Sequence, residues 1–270
     1  MSQPTWAQAF PGGVADAELQ HGLTRNVSGH PVAVRLADGQ VMWRGAEVLQ
    51  PLLLGQGLAL GLAFDLAPGT PSAPARVVAL ALHEAGTERW RSAPLPWPER
   101  VARGDATVAS SAGSWAASWA ASGAASGAVH AGWLADRILL RWSLQPLYRG
   151  GAAPGLSRAK AAAVRGSCLL DVANGALHNA PAELDSLTVA PAADEPSDDP
   201  CVTAQQLLGG VRYSLRQAPT PGAPQAPGLN TMLNTTLSTT LTAHDPVRGL
   251  DLWHCLLDEA PRKSPRALRS

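Results

Sequence analysis

The chain has 270 residues, enough for one sizeable domain or two small ones, and 46% of them are hydrophobic, an ordinary share for a protein with a buried core. Its 21 basic residues balance 21 acidic ones, which excludes a net field that would draw it to nucleic acid or to an anionic membrane. Lys160 and Lys263 are the only lysines, so the arginine excess reads as a compositional habit of the coding sequence and not as phosphate recognition.

The opening, Met1 to Phe10, lacks a basic start followed by an apolar run and predicts no secretory signal. From Pro31 to Trp43, apolar residues alternate on either side of Asp38-Gly39, a strong two-residue hairpin signal. Two short antiparallel strands are expected there. Leu49 to Leu66 is apolar, carries Gly55, Gly57 and Gly61, and ends at the cluster from Pro68 to Pro74. Its longest apolar stretch, Leu52 to Phe64, falls short of the about 20 residues a membrane helix needs. Arg76 to His83 reads as a strand, and Pro94, Pro96 and Pro98 as an extended linker.

Ser114 to Val129 repeats every four residues. At about 100° per residue, Trp115, Trp119 and Trp133 fall within about 40° of one another, so a helix here would present a tryptophan stripe. The stripe is either a face that docks a partner or a face packed into the core, where aromatic stripes usually go, unless the repeat is a slippage product tolerated as a flexible loop. Leu134 to Tyr148 could continue the helix or form a strand and is read as helix, and Leu156 to Val164 also reads as helical. Cys168 to Val172 is a strand turning at Asn174-Gly175, a second hairpin signal.

Pro191 to Pro200 and Ala218 to Gly228 are expected loops, the first acidic but without calcium-ligand spacing, and Val211 to Leu215 between them is a strand. Thr231 to Thr242 places Leu233, Leu237 and Leu241 four apart and is read as a helix. Together these elements predict an α+β chain: a strand-rich part over 1–104, a helical segment over 105–149, an α+β part over 150–260 and a flexible basic tail over 261–270.

Catalytic patterns are missing. Cys168, Cys201 and Cys255 are far apart and odd in number, which fits neither a disulfide framework nor a zinc motif and points to a reducing cytoplasm. Trp253-His254-Cys255 places two soft ligands side by side, but neighbours on a strand face opposite ways and rarely bind one metal. There is no Gly-x-Ser-x-Gly elbow and no Walker lysine. One nucleotide-like pattern exists: Gly55-Gln-Gly57-Leu-Ala-Leu-Gly61 after an apolar run, with Glu84 closing the next strand. In a dinucleotide site those glycines would open a helix under the pyrophosphate and the acid would bond the ribose. Pro51 and the short reach to Pro68 argue against it, and a glycine-relieved packing segment is the default.

Arg158 to Gly175, with Arg165-Gly166, and the onward run to Thr188-Val-Ala-Pro191 resemble a segment of nickel-iron hydrogenase large subunits. Leu241 to Cys255, with His244-Asp245-Pro246, resembles that family's C-terminal Asp-Pro-Cys element, with Val247 where the metal-binding cysteine would be. No paired Cys-x-x-Cys exists in the chain, so the resemblance implies an inactive, cysteine-poor relative that assists assembly of the metal centre. The expected function is a non-catalytic accessory protein whose partner is another protein, with a hydrogenase large subunit as the specific candidate. The alternatives are a small-molecule or dinucleotide-binding enzyme and a self-assembling structural component.

Overall fold

A computed structural model of the chain describes residues 4–64, 75–96, 106–110, 125–145, 164–186, 199, 201–219 and 237–258. Among them there is no α-helix, and a 3-10 turn at Ala182–Ser186 is the helical element present. The expected α+β class is therefore corrected: the described chain is built from four β-sheets.

After β1 (Thr5–Trp6), which joins a later sheet, the chain forms sheet I from β2 (Gln8–Phe10), β3 (Gly13–Ala15), β4 (His21–Arg25), β5 (Pro31–Arg35) and β6 (Val41–Arg44). Sheet II follows with β7 (Gln50–Gly55), β8 (Leu58–Phe64), β9 (Ala75–Ala81) and β10 (Glu88–Arg91). Sheet III holds β1, β12 (Ala125–Leu134), β13 (Arg137–Gln145), β14 (Val164–Asp171) and β15 (Leu177–Asn179), with β11 (Ala106–Ser110) parallel to β12. Sheet IV is β16 (Val202–Leu208), β17 (Val211–Pro219), β18 (Leu237–Asp245) and β19 (Leu250–Leu256). Apart from β1 and β11, strands consecutive in each sheet pair antiparallel with their chain neighbours, the connection that short turns permit.

The expected hairpin at Asp38-Gly39 is β5–β6, the one at Asn174-Gly175 is β14–β15, and the strands at 76–83 and 211–215 are β9 and part of β17. The expected helices are not there. Residues 134–145 are the end of β12 and β13, and 237–242 belong to β18. Of the Trp-rich repeat, residues 125–129 belong to β12; residues 114–124, with Trp115 and Trp119, lie outside the described residues, as do 156–163 and 231–236.

Each strand has its own reason. In β13, Ile138, Leu140 and Trp142 enter one core while Leu139 enters another, so an apolar run with both faces covered hides the alternation that marks a strand. In β18 a leucine spacing of four is even, so it satisfies a two-residue period as well as a helical one. The threonines between, which favour a pleated surface, decide for the strand.

The sheets pack face to face in the order IV, I, II, III. Phe10, Val32 and Val34 of the first sheet meet Tyr213, Leu215 and Leu241 of the fourth. Its other side places Leu23, Ala33 and Trp43 against Leu54, Val78 and Leu80 of sheet II. Sheet II in turn packs Leu53, Leu60 and Val77 on Ile138, Leu140 and Leu170 of sheet III, whose far face carries Leu139 and Leu169 under Leu184.

Candidate functional site

Each sheet turns between its last two strands through a tight loop with a left-handed glycine. These are Gly39 (φ 70°), Gly86 (φ 73°), Gly175 (φ 70°) and Gly249 (φ 68°). Glycine adopts this backbone without the Cβ clash that disfavours other residues. Its N–H closes the loop onto a carbonyl at the end of the penultimate strand: Gly39 onto Arg35 at 2.9 Å, Gly86 onto Ala81 at 3.2 Å, Gly175 onto Asp171 at 2.9 Å and Gly249 onto Asp245 at 2.8 Å.

Three of these glycines lie under a tryptophan from the neighbouring sheet. Trp253 of β19 covers Gly39 and donates its Nε1–H to Leu36 O at 2.9 Å. Trp43 of β6 covers Gly86 and donates to Leu82 O at 2.7 Å, and Trp90 of β10 covers Gly175 and donates to Val172 O at 2.7 Å. A Cβ on Gly86 would stand 2.8 Å from the Trp43 ring, and one on Gly39 or Gly175 would overlap its indole, so glycine serves close approach as well as φ. In each case the acceptor carbonyl belongs to the residue after the one that receives the glycine N–H. A buried indole thereby satisfies its one donor while its rings fill the seam between sheets.

The donors follow a rule of position. Gly39 precedes Trp43, Gly86 precedes Trp90 and Gly249 precedes Trp253, each by four residues on the same sheet. Sheet IV thus docks on I, I on II and II on III. In sheet III the corresponding residue after Gly175 is Asn179, which is exposed. On sheet IV the Gly249 turn is exposed, whereas Gly39 and Gly175 are buried beneath their indoles, and among the described residues no heavy atom lies within 4 Å of where its Cβ would be.

The Gly249 turn is nonetheless well formed. Asp245 accepts the N–H of Val247 at 2.9 Å and of Arg248 at 3.1 Å, and the Arg248 N–H, then that of Val247, hold the Asp245 carboxyl below its ordinary value. Around it several apolar side chains are exposed, Val247 by 91%, Leu250 by 60%, Leu252 by 50% and Leu256 by 37%, interspersed with the exposed Arg248 and Asp251. All but Val247 lie on β19, an edge strand of sheet IV.

The described residues of the nucleotide-like pattern, and Trp133, sit elsewhere. Gly55 ends β7, Gly57 shapes the hairpin turn into β8, and Gly61 lies within β8, where a Cβ would be 2.9 Å from Leu49 Cβ. They build a hairpin with no helix N-terminus beside it. Glu84 is exposed in the β9–β10 loop and ion-pairs with Arg89. Trp133 is partly buried between sheets II and III, with Nε1 3.4 Å from Leu54 O and its ring against Gly55. Of the segments that resemble hydrogenase, Gly166 lies opposite Trp142 in the β13–β14 ladder and leaves room for that indole, while Asp245-Pro246 opens the exposed turn.

Among the described residues, chemistry of a catalytic kind is sparse. Trp253 and Cys255 face the core and His254 is exposed, and among the described residues no three metal-ligating side chains cluster. Burial pushes the Cys168 thiol up to about 12 and Cys255 up to about 11, which disfavours the thiolate that nucleophiles and metal ligands require. Iodoacetamide at pH 8 is accordingly expected to leave both unmodified in the native protein and to label them after unfolding in urea, as intact-mass and peptide analysis would show. Asp16 and His21 form a pair at 2.8 Å that no sequence motif announces, with the His83 ring 5.5 Å away, but the buried Asp16 carboxylate also accepts the N–H groups of Gln20 and His21 and thereby serves its own turn.

The chain matches no protein-family model and no curated protein. Among solved structures it overlaps BamB from Moraxella catarrhalis with a TM-score of 0.32 at 10% identity, over 92% of this chain and 62% of that one, so it spans less than two thirds of BamB. It also overlaps the computationally designed Ika8 protein with a TM-score of 0.21 at 10% identity, over 94% of this chain and 90% of that one. Among the described residues no helix is long and apolar enough to cross a membrane.

Proposed function

We propose that the chain is a non-catalytic accessory protein that binds another polypeptide through sheet IV. The carrying observation is the run of exposed apolar side chains, Val247, Leu250, Leu252 and Leu256, along the β18–β19 turn and the edge strand β19. An edge strand offers unpaired backbone groups, and native proteins usually guard such edges with charge or proline. Here three exposed leucines stand among the polar Asp251 and His254, which supports a surface covered by a partner strand or sheet.

A hydrogenase large subunit as that partner rests on the resemblance of residues 158–191 and 241–255. The test is native co-purification at near-physiological salt with mass spectrometry of what is retained. Wild type is compared with Leu250→Lys/Leu252→Lys, exposed changes that leave the core intact. A polypeptide retained in stoichiometric amount by wild type and lost from the variant is the expected result, and its identity decides the hydrogenase question. Recovery of the bare monomer from both, with a hydrogenase large subunit co-expressed, overturns the reading.

A further inference from the structure

We propose that the Gly249 turn is a docking slot for a tryptophan side chain carried by a partner polypeptide; this rests on the protein-binding reading above and deepens it by naming the chemistry that sheet IV recognises. The slot repeats three others in one molecule. In all four turns a left-handed glycine closes onto the carbonyl that ends the penultimate strand, and in three an indole lies on the glycine and donates to the next carbonyl along. By that rule the acceptor at the fourth turn is Pro246 O.

The indole that would complete the series in cis is missing from its place. Sheet III carries Asn179 where the other sheets carry Trp43, Trp90 and Trp253, and a small polar amide lacks the apolar area of an indole to cover the turn. Each tryptophan among the described residues is already engaged, Trp6 on Gly132, Trp133 on Leu54 and Gly55, Trp142 on Gly166, and the other three in the docking contacts, while Trp97, Trp115 and Trp119 lie outside the described residues. The slot is continuous with an established interface, since Trp253 lies four residues beyond Gly249 and seals sheet IV to sheet I. On that continuity the occupant inferred is a different polypeptide that presents a tryptophan from a β-strand, with Val247, Leu250 and Leu252 packing around the ring.

The probe is a capped peptide copying residues 40–46, which carries the indole of β6, together with its Trp43→Ala version. Each is titrated into isotopically labelled full-length protein and followed by amide resonances. The tryptophan peptide is expected to shift the amides of residues 245–250 saturably in the millimolar range or tighter, and the alanine peptide to leave them unmoved. Gly249→Ala, whose Cβ occupies the slot, should weaken the shifts at least tenfold. Gly249→Asn, which tolerates the left-handed backbone, should do the same and guards against a folding defect in the alanine variant.

Equal shifts from both peptides, no shifts at 245–250, or a contact in the free protein between Gly249 and one of its own indoles would each overturn the slot. If the tryptophan peptide fails while Leu250→Lys/Leu252→Lys still loses a co-purified partner, the slot falls and protein binding through sheet IV stands. Peptide binding with no partner retained from the cell does the opposite: the slot stands and the accessory-protein role falls.

Discussion

Trp90→Ala is expected to destabilise the chain by about 3–5 kcal/mol, the range for removing a buried tryptophan. The indole is buried in the core shared by sheets II and III, covers Gly175 and donates to Val172 O at 2.7 Å. Truncation removes that contact area, leaves a cavity between two packed sheets and strips the Val172 carbonyl of a partner 82 residues away in sequence. Domains have total stabilities of only about 5–15 kcal/mol, so the loss is a large fraction of what holds the fold. Urea unfolding followed by far-ultraviolet circular dichroism measures it. A loss below about 1 kcal/mol, the level of an ordinary exposed substitution, would mean that the indole does not hold sheet II to sheet III.

Gly39→Ala and Gly249→Ala form a matched pair with different expected costs. Both place a β-carbon on a left-handed backbone, which costs about 1–2 kcal/mol by itself. At Gly39 the added methyl also overlaps the Trp253 ring, and forcing an atom into a packed seam adds about 1–3 kcal/mol. At Gly249 nothing among the described residues is displaced, so only the backbone cost applies. The difference between the two midpoints in the same urea titration isolates the indole contact. Gly39→Ala should also move tryptophan emission to longer wavelength as Trp253 loses its cover on sheet I, and Gly249→Ala should not. Equal costs would show that the seam between sheets IV and I can relax around a methyl group.

Both results bear on function through one feature, the repetition of a docking contact. Three seams use the same glycine, carbonyl and indole, and the exposed fourth turn repeats the glycine and the carbonyl, which is the observation behind the proposed slot. The apolar residues around it are then explained together with the turn. The leucines of β19 can bind a partner whether or not a tryptophan enters at Gly249.

Part of this arrangement is legible in the residues. Asp38-Gly39 and Asn174-Gly175 mark two of the four rim turns, because positive φ restricts residue choice locally. The rule that joins them is also written in the chain: Gly-x-x-x-Trp recurs at 39–43, 86–90 and 249–253, and lapses at 175–179. That spacing marks a repeated strand-turn-strand unit. The helical spacing of Trp115, Trp119 and Trp133 is the more conspicuous pattern, yet Trp133 sits on a strand and fills the seam between sheets II and III.

Local matters follow from the residues alone: the turn glycines, the hairpins at 31–44 and 168–179, the absence of catalytic motifs, and the strands at 76–83 and 211–215. Periodicity could not separate helix from strand in 134–145 or 237–245, because burial on both faces erased the alternation in one and an even leucine spacing served both periods in the other. Which turn each indole covers depends instead on the stacking of whole sheets. Trp253 reaches Leu36 O across 217 residues of sequence, and no window of neighbouring residues encodes such a contact.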